Sequence, residues 1–250
     1  MSKVYDALQR ARADQNLIGR IERDAMIGSL MPEIVGFRGL PQPKMGEEMS
    51  RLLRHIVALL PDAQRSIIQF IGSRKAEGTS TILREFGLFA AMQLNKSVLL
   101  VEGDHSQLPQ HHVFEVQSQI SLQRIMNDGG SVDQAICQVK SSRIFLCRFA
   151  ETNQANFRSS YLVNNQEVWS KLRKAFDFVL IDSPPLTSSE DALAHCAFAD
   201  GVLLIVEADR TRSQVALNLK DRVTQAGGNV LGVVFNKQRH YIPKWIYKRL

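Results

Sequence analysis

The residues with the clearest chemistry lie between Gly72 and Asp104. An apolar run ends at Gly72, and the polar stretch Ser73-Arg74-Lys75-Ala76-Glu77-Gly78-Thr79-Ser80-Thr81 leads into a helix-forming segment. Strand, glycine-bearing loop and helix start, in that order, aim backbone N–H groups and a positive helix end at one point, which suits a phosphate. The phosphate-loop pattern G-x-x-x-x-G-K-[ST] can be laid from Ser73 to Ser80 with two departures: Ser73 replaces the first glycine, and Thr79 stands where the lysine belongs. Ser80 or Thr81 can offer a hydroxyl to Mg2+. The lysine's absence removes a charge-assisted hydrogen bond to the β/γ-phosphates, worth roughly 1.5–3 kcal/mol or about 10- to 100-fold in binding. Arg74 and Lys75 are the loop cations that could substitute. Taken alone, the stretch also reads as an ordinary polar turn between strand and helix.

Three other positions could serve the same site. The run VLLV ends in Glu102-Gly103-Asp104, which puts two acids at the carboxyl edge of a sheet, where open α/β sheets bind ligands. Asp104 could hold metal-bound water or orient a nucleophile, with Glu102 a longer and less fixed arm; solvated loop acids are the plainer alternative. FVLI followed by Asp182 forms a second acidic strand end whose carboxylate can reach Mg2+, often through water, and Pro184-Pro185 stiffen the loop beyond it. The alternative there is an aspartate capping the next turn. Asn236, directly after the last apolar run, either offers its amide to an adenine edge or closes a turn; the residues alone leave both open.

These groups need a scaffold of strands. Apolar runs at 67–72, 98–102, 144–148, 178–182, 202–206 and 230–235 alternate with expected helices near 80–93, 121–127, 165–175, 190–198 and 212–226. That alternation predicts an α/β fold: a doubly wound, mostly parallel sheet covered on both faces. Ahead of it, a short helix is expected over 2–13, a Gly/Pro-bearing linker over 27–44, and an amphipathic helix from Gly46 to Leu60. The organisation expected is an N-terminal helix and flexible linker over 1–45, then one domain over 46–250 ending in a basic tail.

At 250 residues with 44% hydrophobic content, one such domain is the natural size. The apolar runs are far shorter than the roughly 20 residues of a membrane span. The first residues lack a secretory apolar core, so cytoplasmic location is the expectation. Cys137, Cys147 and Cys196 have no metal-ligand spacing and read as reduced core thiols. The net charge of +6 is only a weak hint of contact with nucleic acid or anionic lipid, and nucleic acid is not expected as a partner.

With these motifs in place, residues 45–250 resemble the bacterial tyrosine kinase family and its relatives in capsule and exopolysaccharide synthesis, within the P-loop class of the partitioning and septum-placement ATPases. The resemblance rests on GEEMSRLLRHI, AEGTST, VLLVEGD, FDFVLIDSPPLTSSEDAL, ADGVLLIVEADRTRSQ and VLGVVFNKQRHYIPKWIYKRL, in that order. The opening MSKVYDALQRA is similar to the start of exopolysaccharide members. It implies ATP or ADP with Mg2+, a nucleotide site at Ser73, Arg74, Lys75, Gly78, Thr79, Ser80, Thr81 and Asn236, metal held by Ser80 and Asp182, and catalytic acids Asp104, Glu102 and Asp182. It places Arg74 where related ATPases carry a basic residue that contacts the partner subunit's nucleotide. It gives Glu48, Arg51 and Arg54 as an oligomerisation motif, and an inner-membrane co-polymerase or chain-length protein as the partner.

Active kinases of that family carry lysine at the Thr79 position, Asp-x-Asp where Glu102-Gly103-Asp104 stands, and a C-terminal tyrosine cluster. This chain has four tyrosines, with only Tyr241 and Tyr247 near the end. The first reading is therefore a degenerate, kinase-like protein that regulates or scaffolds exopolysaccharide synthesis and export at the inner face of the membrane. The second is an active tyrosine autokinase that uses Arg74 or Lys75. The third is a membrane- or nucleoid-associated positioning ATPase, suggested by the basic aromatic tail, for which packing of Ile242, Trp245 and Ile246 on the core is the preferred alternative.

Overall fold

The computed structural model describes residues 40–60, 65–104, 110–114, 120–150, 166–188 and 191–238. The expected helix over 2–13, the linker up to residue 39, the tail beyond residue 238 and all four tyrosines lie outside the described residues.

The apolar runs form strands β1 (Ser66–Gly72), β2 (Val98–Glu102), β4 (Ile144–Arg148), β5 (Phe178–Asp182), β6 (Gly201–Glu207) and β7 (Val230–Asn236), joined by a two-residue β3 (Cys137–Gln138). They make one sheet in the order β3-β4-β2-β5-β1-β6-β7. Every pairing is parallel except β3 with β4. β1 lies between β5 and β6, so the chain fills one side of the sheet and then crosses to the other around the loop that follows β1. A ligand crevice belongs at that switch point, on the carboxyl edge. The expected doubly wound parallel sheet is the fold observed.

The helices are α1 (Gly46–Leu59), α2 (Thr79–Gln93), α3 (Gln110–Val113), α4 (Leu122–Asp128), α5 (Gln166–Ala175), α6 (Asp191–Ala194) and α7 (Ser213–Gln225). Alternate strand residues feed opposite layers. Ile68, Phe70, Leu100 and Leu180 pack under Phe86 of α2 and Ile56 of α1. On the other face Leu99, Val179 and Ile181 meet Trp169 and Leu172 of α5, while Ile71 and Leu204 meet Leu219 and Val223 of α7. α2 is buried from Ile82 to Ala91 apart from Arg84, as a helix covered by both the sheet and α1 must be. Its Glu85 also caps α1. The carboxylate accepts the N–H groups of Lys44 at 2.6 Å and Met45 at 3.3 Å, because Met45 has no capping side chain of its own.

Candidate phosphate-binding site

The loop that leaves β1 begins under tight cover. A Cβ at Gly72 would stand 2.8 Å from Thr79 Oγ1, 3.1 Å from Glu77 Oε2 and 3.4 Å from the Arg74 carbonyl oxygen. Thr79 thus turns its hydroxyl back onto the start of the loop. The chain passes through left-handed backbone at Ala76 (φ 66°) and Gly78 (φ 93°). Gly78 opens α2 with no side-chain cap, which leaves the first-turn N–H groups of Thr79 and Ser80 without acceptors inside the helix. Such convergent N–H groups at a helix start can hold an anion. Ser73 is buried, whereas Arg74, Lys75 and Thr81 are exposed.

Glu77 organises the loop from within. Its Oε2 accepts the N–H groups of Ser73 at 2.6 Å and Arg74 at 2.9 Å, and its Oε1 accepts the hydroxyls of Ser73 at 2.9 Å and Thr211 at 2.6 Å. The side chain is buried by these four donors. The last strand supplies a second set of contacts. Asn236 Nδ2 donates to the Glu77 carbonyl at 2.8 Å, and Asn236 Oδ1 accepts the N–H of Lys237 at 2.8 Å. Lys237 Nζ donates to the Ala76 carbonyl and lies 3.4 Å from Glu207. The sequence pattern does not single out Glu77, Thr211 or Lys237; an acid inside a phosphate loop, which must find donors there, was the available signal for Glu77.

The acids stand on the other side of the loop. Glu102 and Asp182 are register partners on β2 and β5, and the Gly103 N–H donates to the Asp182 carbonyl at 2.9 Å. Glu102, Asp104 and Asp182 are all buried. Asp182 receives the Ser80 hydroxyl, and its Oδ2 lies 3.4 Å from Gln110 Nε2. Gln110, on α3, also donates to the Ser80 carbonyl at 3.0 Å and accepts from Arg84 at 3.2 Å. Its four-residue helix is too short to leave a sequence signal. Burial lifts the Asp182 carboxyl to about 7; the Ser80 and Gln110 hydrogen bonds oppose that, and the Asp104 and Glu102 charges add to it. Asp182 Oδ1 is buried with no hydrogen-bond partner.

An unpartnered carboxylate oxygen beside a serine hydroxyl fits a cation. Among the described residues no group of three or more His, Cys, Asp or Glu side chains is set to cage a metal. A carboxylate with a serine hydroxyl beside it is a donor pair that Mg2+ can use, since that ion takes one or two carboxylates and fills its shell with phosphate and water. Of the expected site residues, the fold brings Ser73, Gly78, Thr79, Ser80, Glu102, Asp104, Asp182 and Asn236 to one edge of the sheet. Glu48, Arg51 and Arg54 lie on the exposed side of α1, where Arg54 bonds Ser50 at 3.0 Å.

Residues 65–238 match the model of a family described as cellulose biosynthesis protein BcsQ. The chain belongs to this family. It is also similar to the putative tyrosine-protein kinase CapB of Staphylococcus aureus, 21% identical over 200 residues that cover 79% of this chain and 86% of that protein. The fold is that of the chimerical protein CapA2B2, with a TM-score of 0.68 and 19% identity over 87% of this chain and 100% of that one. It is shared with the septum site-determining protein MinD from Pyrococcus horikoshii, solved with Mg-ADP, at a TM-score of 0.55 and 17% identity over 74% of this chain and 76% of that one. The expected likeness to the bacterial tyrosine kinase family and the expected partitioning-ATPase type of fold both hold for this BcsQ-family chain. Among the described residues no helix is long and apolar enough to cross a membrane.

Proposed function

We propose that this BcsQ-family chain is a kinase-like P-loop protein that regulates or scaffolds an exopolysaccharide or capsule synthesis and export complex. In this proposal it works at the inner face of the cell membrane and docks on an inner-membrane co-polymerase or chain-length protein. It binds ATP or ADP weakly, through backbone N–H groups, and self-associates through Glu48, Arg51 and Arg54. Ser80 and Asp182 would hold Mg2+, whose charge offsets that of the phosphates, while Asp104 and Glu102 orient water around it. The observation that supports the reading is the loop itself: the helix that follows it starts without a side-chain cap, yet the side chain at its lysine position is a threonine turned back toward Gly72.

Calorimetric titration with Mg-ADP and Mg-ATP, on the unmodified protein and on Thr79→Lys, tests it. The expected result is weak binding that Thr79→Lys strengthens about 10- to 100-fold, the equivalent of one charge-assisted hydrogen bond. Micromolar affinity in the unmodified protein with no gain in Thr79→Lys would overturn the weakened-site reading. The Ser80–Asp182 contact supports a second reading, an active tyrosine autokinase. Incubation with Mg-ATP and a membrane partner would then produce phosphotyrosine, and unmodified tyrosines by mass spectrometry would end that reading.

A further inference from the structure

We propose that Asn236 and Lys237 are positioning residues for phosphate: they grip the outside of the loop and thereby turn its N–H groups toward the ligand. A trans peptide is planar, so its carbonyl and the next residue's N–H point in opposite directions. Lys237 Nζ holds the Ala76 carbonyl and so fixes the N–H of Glu77 away from the clamp. Asn236 Nδ2 holds the Glu77 carbonyl at 2.8 Å and fixes the N–H of Gly78 in the same way. Two consecutive peptides are thereby set in the orientation that a phosphate nest requires. They continue directly into the uncapped first turn at Thr79 and Ser80.

The surroundings are built for this grip. Asn236 lies so close that a Cβ on Gly78 would stand 2.1 Å from its Nδ2. Ala76 and Lys237, at the two ends of the ammonium–carbonyl contact, both hold left-handed backbone, at φ 66° and 55°. Such strain in non-glycine residues persists only where surrounding contacts enforce it. Glu207 lies 3.4 Å from Lys237 Nζ and steadies the ammonium, and Thr211 of the following turn bonds Glu77. The loop is thus shaped from outside by the ends of β6 and β7, a task that needs no lysine at position 79. One amide N–H and the carbonyl oxygen of Asn236 are already committed to this scaffold.

The clamp rests on the nucleotide reading above only for its ligand; the loop geometry can be measured without one. Hydrogen exchange followed by mass spectrometry would compare the unmodified protein with Lys237→Met. The Ser73 and Arg74 amides, which the Glu77 carboxylate protects, should exchange about 5-fold faster or more, with β2 and β5 unchanged, as expected of a local opening. Unchanged loop exchange would overturn the proposal. Mg-ADP affinity would then be measured in the Thr79→Lys background with Asn236→Ala, Lys237→Met and both together. Each single change should weaken binding about 10-fold, and the pair should be no weaker than the worse single, because residues that act through one shared element are not additive. Additive losses, or no loss, would overturn the clamp in favour of separate contacts or none. If Thr79→Lys fails to bind while loop exchange still quickens in Lys237→Met, the nucleotide reading falls and the clamp stands.

Discussion

At the scale of single residues, the loop depends on one buried acid that meets no basic side chain in the contacts described. Glu77 satisfies two backbone N–H groups and two hydroxyls. Each buried donor left unmet costs about 1–3 kcal/mol. Glu77→Ala strands the N–H groups of Ser73 and Arg74 together, so it should destabilise the protein by roughly 2–4 kcal/mol and lower its melting temperature on the order of 5–10 °C. Glu77→Gln should cost far less. Its amide oxygen can take both N–H groups, and its NH2 can face Ser73 and Thr211, whose hydroxyls can turn to accept. Thermal melts of the two variants check this, and an equal loss in both would show that charge, rather than hydrogen-bond geometry, holds the loop. The sequence pattern made Gly78, Ser80 and Asp182 legible because fixed spacing brings a loop and a strand end to one edge. It could not show Glu77 joined to Thr211 across 134 positions, or Lys237 to Ala76 across 161, because no local spacing encodes such contacts.

At the scale of elements, the buried parallel strands were readable because both faces are covered and each appears as a continuous apolar run. The two-residue β3 and four-residue α3 are too short to leave a periodic signal, and the helix expected near 190–198 divides into α6 and a 3-10 turn at His195–Ala197. α1 was visible from its spacing and begins at Gly46 as expected, but its cap was not visible, since it comes from Glu85, 40 residues beyond Met45. Glu85→Ala should therefore weaken α1 by about 1–2 kcal/mol, the usual cost of a lost cap. Because α1 buries Met49 and Ile56 at the edge of the core, the effect should be local fraying rather than global unfolding. Exchange across 46–59 should rise while β1 and β5 keep their protection. If all elements lose protection equally, α1 melts only with the whole domain. A frayed α1 should also weaken any self-association through Glu48, Arg51 and Arg54.

For the whole molecule, two buried groups oppose each other as pH changes. Burial lifts the Asp182 carboxyl from 3.8 to about 7, so between these values the folded chain keeps a proton that the unfolded chain releases. Stability therefore falls as pH rises through that window. His195 is buried between the Phe149 and Phe198 rings, with Nδ1 3.2 Å from the Ser183 hydroxyl and Nε2 unpartnered, and burial lowers it from 6.5 to about 4. Here the unfolded chain takes up a proton that the folded chain refuses, so stability falls as pH drops below 6.5. Each group contributes on the order of 3–4 kcal/mol, and in the unmodified protein the two slopes largely cancel over their shared range. Single substitutions should separate them. Asp182→Asn leaves the histidine slope, so the stability of that variant relative to the parent should improve steadily from pH 4 to 7. His195→Gln leaves the carboxylate slope and should show the reverse trend. Urea midpoints at half-unit steps of pH for the three proteins decide the matter, because every other titrating group is common to all of them. Parallel curves would mean that water or a neighbouring group satisfies both sites in the folded chain. Diverging curves of opposite sign would show that Asp182 at the acidic edge of the sheet is a carboxylate whose ionisation destabilises the fold.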